Sequence, residues 1–190
     1  MPVTNPSEIG ELFDAISYSK GAAILRMLEV FLGEETFRTG VKTYLSTHQY
    51  ANARTKDLWN SLTLVSQKPI SKIMNTWIKQ PGFPILEIGK DSDLNLVTIE
   101  QNRFLYSHIL GDELSGKWEI PLSLEATGSS KSVLINTNIT RIPVVNPLDL
   151  KINTGHVGFF RTNYSPEQWE SLKVSIVQNK LSVLEPLLEG

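Results

Sequence analysis

Two hydrophobic periods share this chain, and they change over at Pro81-Gly82. Ahead of that point the apolar residues recur every three or four positions, the spacing of helices. Beyond it they come in short apolar or β-branched runs broken by turn residues, the spacing of strands. Segregated periods of this kind predict an α+β fold. The spacing predicts four helices first. One covers 16–32 and stops at Gly33, which suits the φ > 0 position after a helix. The next opens on Glu34 and Glu35, favourable at a positive helix start, and carries a stripe of Phe37, Val41, Tyr44 and Leu45. Thr55 is the expected N-cap of the third, with Leu58, Leu62 and Val65 on one face. Pro69 suits the first turn of the fourth, whose stripe is Ile70, Ile73, Met74 and Trp77.

Past Pro84 the expected strands cover 85–88, 94–101, 118–125, 132–136, 142–145 and 157–164. Asp91-Ser92-Asp93, Gly111-Asp112-Glu113, Gly128-Ser129-Ser130 and Asn146-Pro147 punctuate them as turns. Strand-sized runs at this interval predict a small antiparallel β-sandwich. From Ser165 the pattern is helical again. Ser165 can cap, Pro166 fits the first helical position, and Trp169, Leu172 and Ile176 are expected to share a face. The expected division is therefore a helical unit over 1–80, a sandwich over 81–164 and the opening of a second helical domain over 165–190.

Totals remove several function classes. Eighteen basic against twenty acidic residues leave a net charge of -2, which provides no electrostatic footprint for nucleic acid or an anionic membrane. There is no cysteine, so disulfides and thiolate zinc sites are excluded. His48, His108 and His156 stand 48 or more residues apart, none with a second ligand at helical i+4 spacing, so each reads as a loop or surface histidine. Glu34 and Glu35 are neighbours and point apart on a helix, which suits helix-dipole residues rather than a catalytic pair. The first thirteen residues hold no basic stretch followed by an apolar one, and no run approaches the ~18 apolar residues of a membrane span. A cytoplasmic setting is the expectation.

The run FDAISYSKGAAILRML, residues 13–28, carries the one strong chemical signal. Its Phe13, Asp14, Ser17, Tyr18, Lys20 and Gly21 resemble the segment of the zinc aminopeptidase family (thermolysin-like gluzincins of the puromycin-sensitive type) that holds the catalytic tyrosine. Residues 32–59, 74–88 and 158–172 also resemble that family: two successive helices, the tryptophan-centred end of its catalytic domain with a glycine-phenylalanine-proline crossing, and its last sandwich strand. The resemblance implies that Tyr18 is the catalytic residue. A phenol, with an ordinary pKa near ~10, keeps its proton at neutral pH and can donate to a developing oxyanion.

The same resemblance implies a zinc-dependent parent enzyme that removes N-terminal residues from peptide substrates. Its HExxH motif, the downstream glutamate and the glycine-rich motif that grips the free amine are not in this sequence. The chain is therefore expected to read as a fragment that binds no metal and does not turn over peptides by itself. Its helical unit should pack against the rest of the catalytic domain, and alone it should self-associate. Glu185-Pro186 departs from the Asp-Arg pair usual in the family. A reading of a different class is a non-catalytic α+β interaction module in which Tyr18 only packs and an exposed sheet edge adds a partner's strand.

Overall fold

Helix α1 occupies Ala15–Leu32 and ends at Gly33, whose φ of 82° is open to glycine at little cost. The computed structural model describes residues 15–91, 95–104, 116–126, 129–148 and 150–178. Three more helices follow: α2 (Glu34–Thr47), α3 (Thr55–Ser66) and α4 (Ile70–Ile78). Helices α2 and α3 pack closely because Gly40 has no side chain; a Cβ there would stand 2.5 Å from Leu62 Cδ2. All four residues of the α4 stripe are buried, whereas Leu45 on α2 is 61% exposed and does not belong to its helix's inner face. Thr55 is the first helical residue and not the cap. The backbone N–H of Arg54 donates to Asp57 Oδ2 at 2.7 Å, so the reciprocal carboxylate contact organises that start instead. Pro69 likewise sits one place earlier than expected, at the N-cap of α4.

Strands begin after the junction. They are β1 (Pro84–Asp91), β2 (Leu96–Arg103), β3 (Ile120–Ala126), β4 (Ser129–Ile135), β5 (Ile139–Pro143), β6 (Lys151–Ile152) and β7 (Arg161–Tyr164). One sheet has the order β5-β2-β1-β7, the other β4-β3-β6. All pairings are antiparallel except β1 with β7. Leu86, Ile88, Val97 and Ile99 from the first sheet share a buried core with Ile120, Leu122, Leu124 and Ile152 from the second, the alternation expected of a sandwich. The expected strand at 157–164 is shorter than predicted. Asn153, Gly155 and His156 all have positive φ, so the chain turns through a short 3₁₀ segment (Thr154–His156) before pairing resumes at Arg161.

Helix α5 (Pro166–Val177) starts as expected: Gln168 N donates to Ser165 Oγ at 3.2 Å, and Ser165 N donates to Gln168 Oε1 at 3.0 Å. Its buried face is Gln168, Leu172 and Ser175, with Ile176 half-buried. Trp169 is turned outward and meets the Tyr164 ring edge-on at 5.1 Å.

Helices and sandwich share one hydrophobic core. Helix α1 lies on the outer face of β3, with Met27, Val30 and Phe31 around Pro121 and Ser123. A seam of polar contacts joins α4 to the approach to β3: Trp77 Nε1 donates to the Glu119 carbonyl at 2.9 Å, Glu119 N donates to Thr76 Oγ1 at 3.1 Å, and Lys72 pairs with the Glu119 carboxylate. The change of period at Pro81-Gly82 is thus a change of secondary structure across a continuous core.

Candidate functional site

Tyr18 lies in the first turn of α1, and its side chain is 62% exposed. Phe13 and Asp14, which carry part of the resemblance, lie outside the described residues, as do His108 and Glu185-Pro186. The buried stripe of α1 begins only at Ile24 and continues through Met27, Leu28 and Leu32. The tyrosine therefore stands ahead of the core and contributes little to it. Gly21, one turn on from Tyr18, has no atom within 4 Å of where a Cβ would sit, and Ala22 beside it is exposed. A helix-interior glycine costs about 0.5–1 kcal/mol relative to alanine. Nothing among the described residues requires that cost.

Lys20 departs from the purely solvent or local role its place in the helix suggests. Its ammonium donates to the Gly82 carbonyl at 3.2 Å, across 62 residues of sequence, and lies 6.0 Å from the centre of the Phe159 ring. Burial pushes its pKa below the ordinary lysine value, because part of its hydration is lost. The receiving segment is well built. Gly82 has a φ of 83°, and a Cβ there would come within 3.2 Å of Arg103 Nε. Phe83 stacks on Phe104 at 5.0 Å, Phe104 N donates to the Phe83 carbonyl at 2.9 Å, and the Arg161 guanidinium covers Phe104 at 4.2 Å. Phe159 meets both Trp77 and Phe83 edge-on. The start of α1 is thereby tied to the helix–sandwich crossing. Sequence reasoning missed this contact because a hydrogen bond to a carbonyl 62 positions away leaves no periodic trace.

The sequence profile of the Peptidase family M1 domain matches residues 1–77. Glutamyl aminopeptidase of Bitis rhinoceros is 40% identical over 182 residues, covering 90% of this chain and 18% of that protein. Alanine/arginine aminopeptidase of Saccharomyces cerevisiae is 40% identical over 185 residues, covering 96% of the chain and 21% of its own length. The chain belongs to peptidase family M1. Human glutamyl aminopeptidase extends the likeness, at 36% identity over 188 residues and 19% of its length. The chain thus spans about a fifth of the length of these curated M1 relatives.

M1 peptidases are zinc-dependent as a family. The described part of this M1 chain does not fit a zinc ion: among the described residues no group of three or more His, Cys, Asp or Glu converges, and the sequence has no cysteine. His48 closes α2 and His156 ends the 3₁₀ turn, far apart in the chain and in different structural units. No helix among the described residues is long and apolar enough to cross a membrane. Tyr18 is thus an exposed phenol on a helix that Lys20 ties to the junction.

Proposed function

We propose that this chain is the tyrosine-bearing part of a zinc aminopeptidase that releases N-terminal residues from peptides, with the metal ligands outside these 190 residues. Residues 1–80 belong to the C-terminal part of the catalytic domain, 81–164 to its sandwich domain, and 165–190 open a further helical domain. Tyr18 is the catalytic residue. Amide hydrolysis moves negative charge onto the former carbonyl oxygen, and a hydroxyl donor held where that charge develops stabilises the transition state more than the ground state. The observation that carries the reading is the combination of M1 membership with the exposure of Tyr18 ahead of the α1 core. A tyrosine kept for packing would be buried like Tyr164, whose hydroxyl sits inside the sandwich and accepts a hydrogen bond from Ile152 N at 2.7 Å.

The partner of the α1 face is the rest of the catalytic domain. Support comes from Gly21, which leaves room for close approach, and from the exposed side chains of Val30, Leu45, Leu64 and Ile78 on the same helical unit. Without that partner the chain self-associates through these residues. The deciding experiment is Tyr18→Phe in the zinc-loaded full-length protein, assayed by steady-state kinetics on an aminoacyl reporter. Loss of the donor lowers kcat by about 10²–10³ with KM little changed. Retention of most of the kcat ends the catalytic assignment.

A further inference from the structure

We propose that Lys20 is the positioning residue for Tyr18: bonded to the Gly82 carbonyl and set against Phe159, it fixes the rotation of the α1 start and hence the direction in which the phenol is presented. The inference rests on the catalytic reading of Tyr18. Consecutive helical residues are about 100° apart, so side chains at i and i+2 leave a helix on nearly opposite sides. A helix turned so that Lys20 reaches the Gly82 carbonyl presents Tyr18 on the side away from the junction, and Tyr18 is 62% exposed there. The buried stripe of α1 begins at Ile24, which sets the rotation of the helix as a whole; residues 18–23 have no buried apolar side chain to hold them in that helix, and the Lys20 bond does so.

Chemistry distinguishes the contact from ordinary packing. A residue placed there only to fill space would be apolar, because a partly desolvated ammonium is costly. Lys20 bears that cost, since burial lowers its pKa and no carboxylate among the described residues pairs with it. The bond is therefore directional: one N–H aimed at one carbonyl. The carbonyl is itself held in place, by the positive φ of Gly82 on one side and the Phe83–Phe104–Arg161 stack on the other. Lys20 touches no reacting atom in this scheme and acts through Tyr18.

The test is a double-mutant cycle in the zinc-loaded full-length protein, with Lys20→Met, Lys20→Arg and Tyr18→Phe alone and Lys20→Met combined with Tyr18→Phe. Lys20→Met should lower kcat about tenfold while KM stays within about twofold, since misplacing a group by a fraction of an ångström acts on the transition state. Lys20→Arg, which keeps a cationic donor, should recover most of that loss. In the Tyr18→Phe background Lys20→Met should cost nothing further, because there is no hydroxyl left to aim. An equal loss in both backgrounds, or unchanged kcat in Lys20→Met, overturns the proposal. If Tyr18→Phe alone keeps its kcat, the catalytic reading has failed, and that result is separate. Amide hydrogen exchange on the 190-residue chain reads the tether without activity. Lys20→Met should speed exchange at residues 19–23 and leave residues 27–32 unchanged, and unaltered exchange at 19–23 overturns the tether itself.

Discussion

Helix α4 and the first half of α1 belong to the same helical unit and have opposite fates. Helix α4 buries every residue of its stripe, Ile70, Ile73, Met74 and Trp77, and seals the contact with hydrogen bonds to Glu119. The opening of α1 exposes Tyr18, Ser19 and Ala22, and Lys20 ties it to the Gly82 carbonyl. An element that has buried its apolar face has completed its packing within the chain. The opening of α1 has not, and its composition differs accordingly, with a glycine, small residues and a phenol where α4 has isoleucine, methionine and tryptophan.

The contrast makes quantitative predictions. The largest effect belongs to Trp77. Trp77→Ala removes a fully buried indole and its bond to the Glu119 carbonyl, and should destabilise the chain by about 3–5 kcal/mol. Helical and sandwich signals should fall together in one thermal transition. A loss confined to the helices would show that α4 is not part of a shared core. Tyr18→Phe, by contrast, should leave the melting temperature of the same chain unchanged while lowering turnover of the full-length enzyme. A clear drop in melting temperature would show that the Tyr18 hydroxyl serves the fold.

Gly21→Ala sharpens the comparison from the other side. Nothing described lies within 4 Å of the new methyl, so the chain alone should gain about 0.5–1 kcal/mol of stability. If the face docks against the rest of the catalytic domain, the same change should lower activity of the full-length protein. Stabilisation without any activity cost would remove the argument for close approach there.

The smallest effect is the pH dependence set by Lys20. Its folded pKa lies below the ordinary value of 10.5, so between the two the unfolded chain holds more protons than the folded one. Stability contributed at this site therefore rises as pH climbs through that window toward 10.5, and is constant below it. The wild-type melting temperature minus that of Lys20→Met should slope upward over this range. A flat difference would mean that the ammonium is as well hydrated folded as unfolded.

Much of the fold could be read from periodicity. The α4 stripe and the Ser165-Pro166 start of α5 emerge from local rules, because capping and burial of a helix face depend on residues within a few positions. Strand β6 could not be found that way, since two residues contain no period. Nor could the break before β7, where Asn153 and His156 adopt positive φ without being glycine. Gln101 is another case. It occupies a core-facing strand position because its amide satisfies the backbone of Trp118 and the carbonyl of Thr137. Such a polar residue is legible only once its partners are known. Tyr18 was placed on a helix by spacing, and its chemical role by resemblance; the tether that orients it belongs to tertiary structure alone.

The parallel pairing of β7 with β1 has a mechanical consequence. Ile85 lies opposite Arg161 and Ile88 opposite Tyr164, so the chain enters and leaves the sandwich on adjacent strands heading the same way. Helix α4 delivers the chain at Pro84, and α5 takes it up past Tyr164, about 13 Å further along at ~3.3 Å per residue. The sandwich works as a gauge block whose thickness is set by hydrogen-bond register. Lengthening a hairpin connection would leave that spacing untouched. A two-residue slip of β7 on β1 would slide everything attached to α5 by about 7 Å.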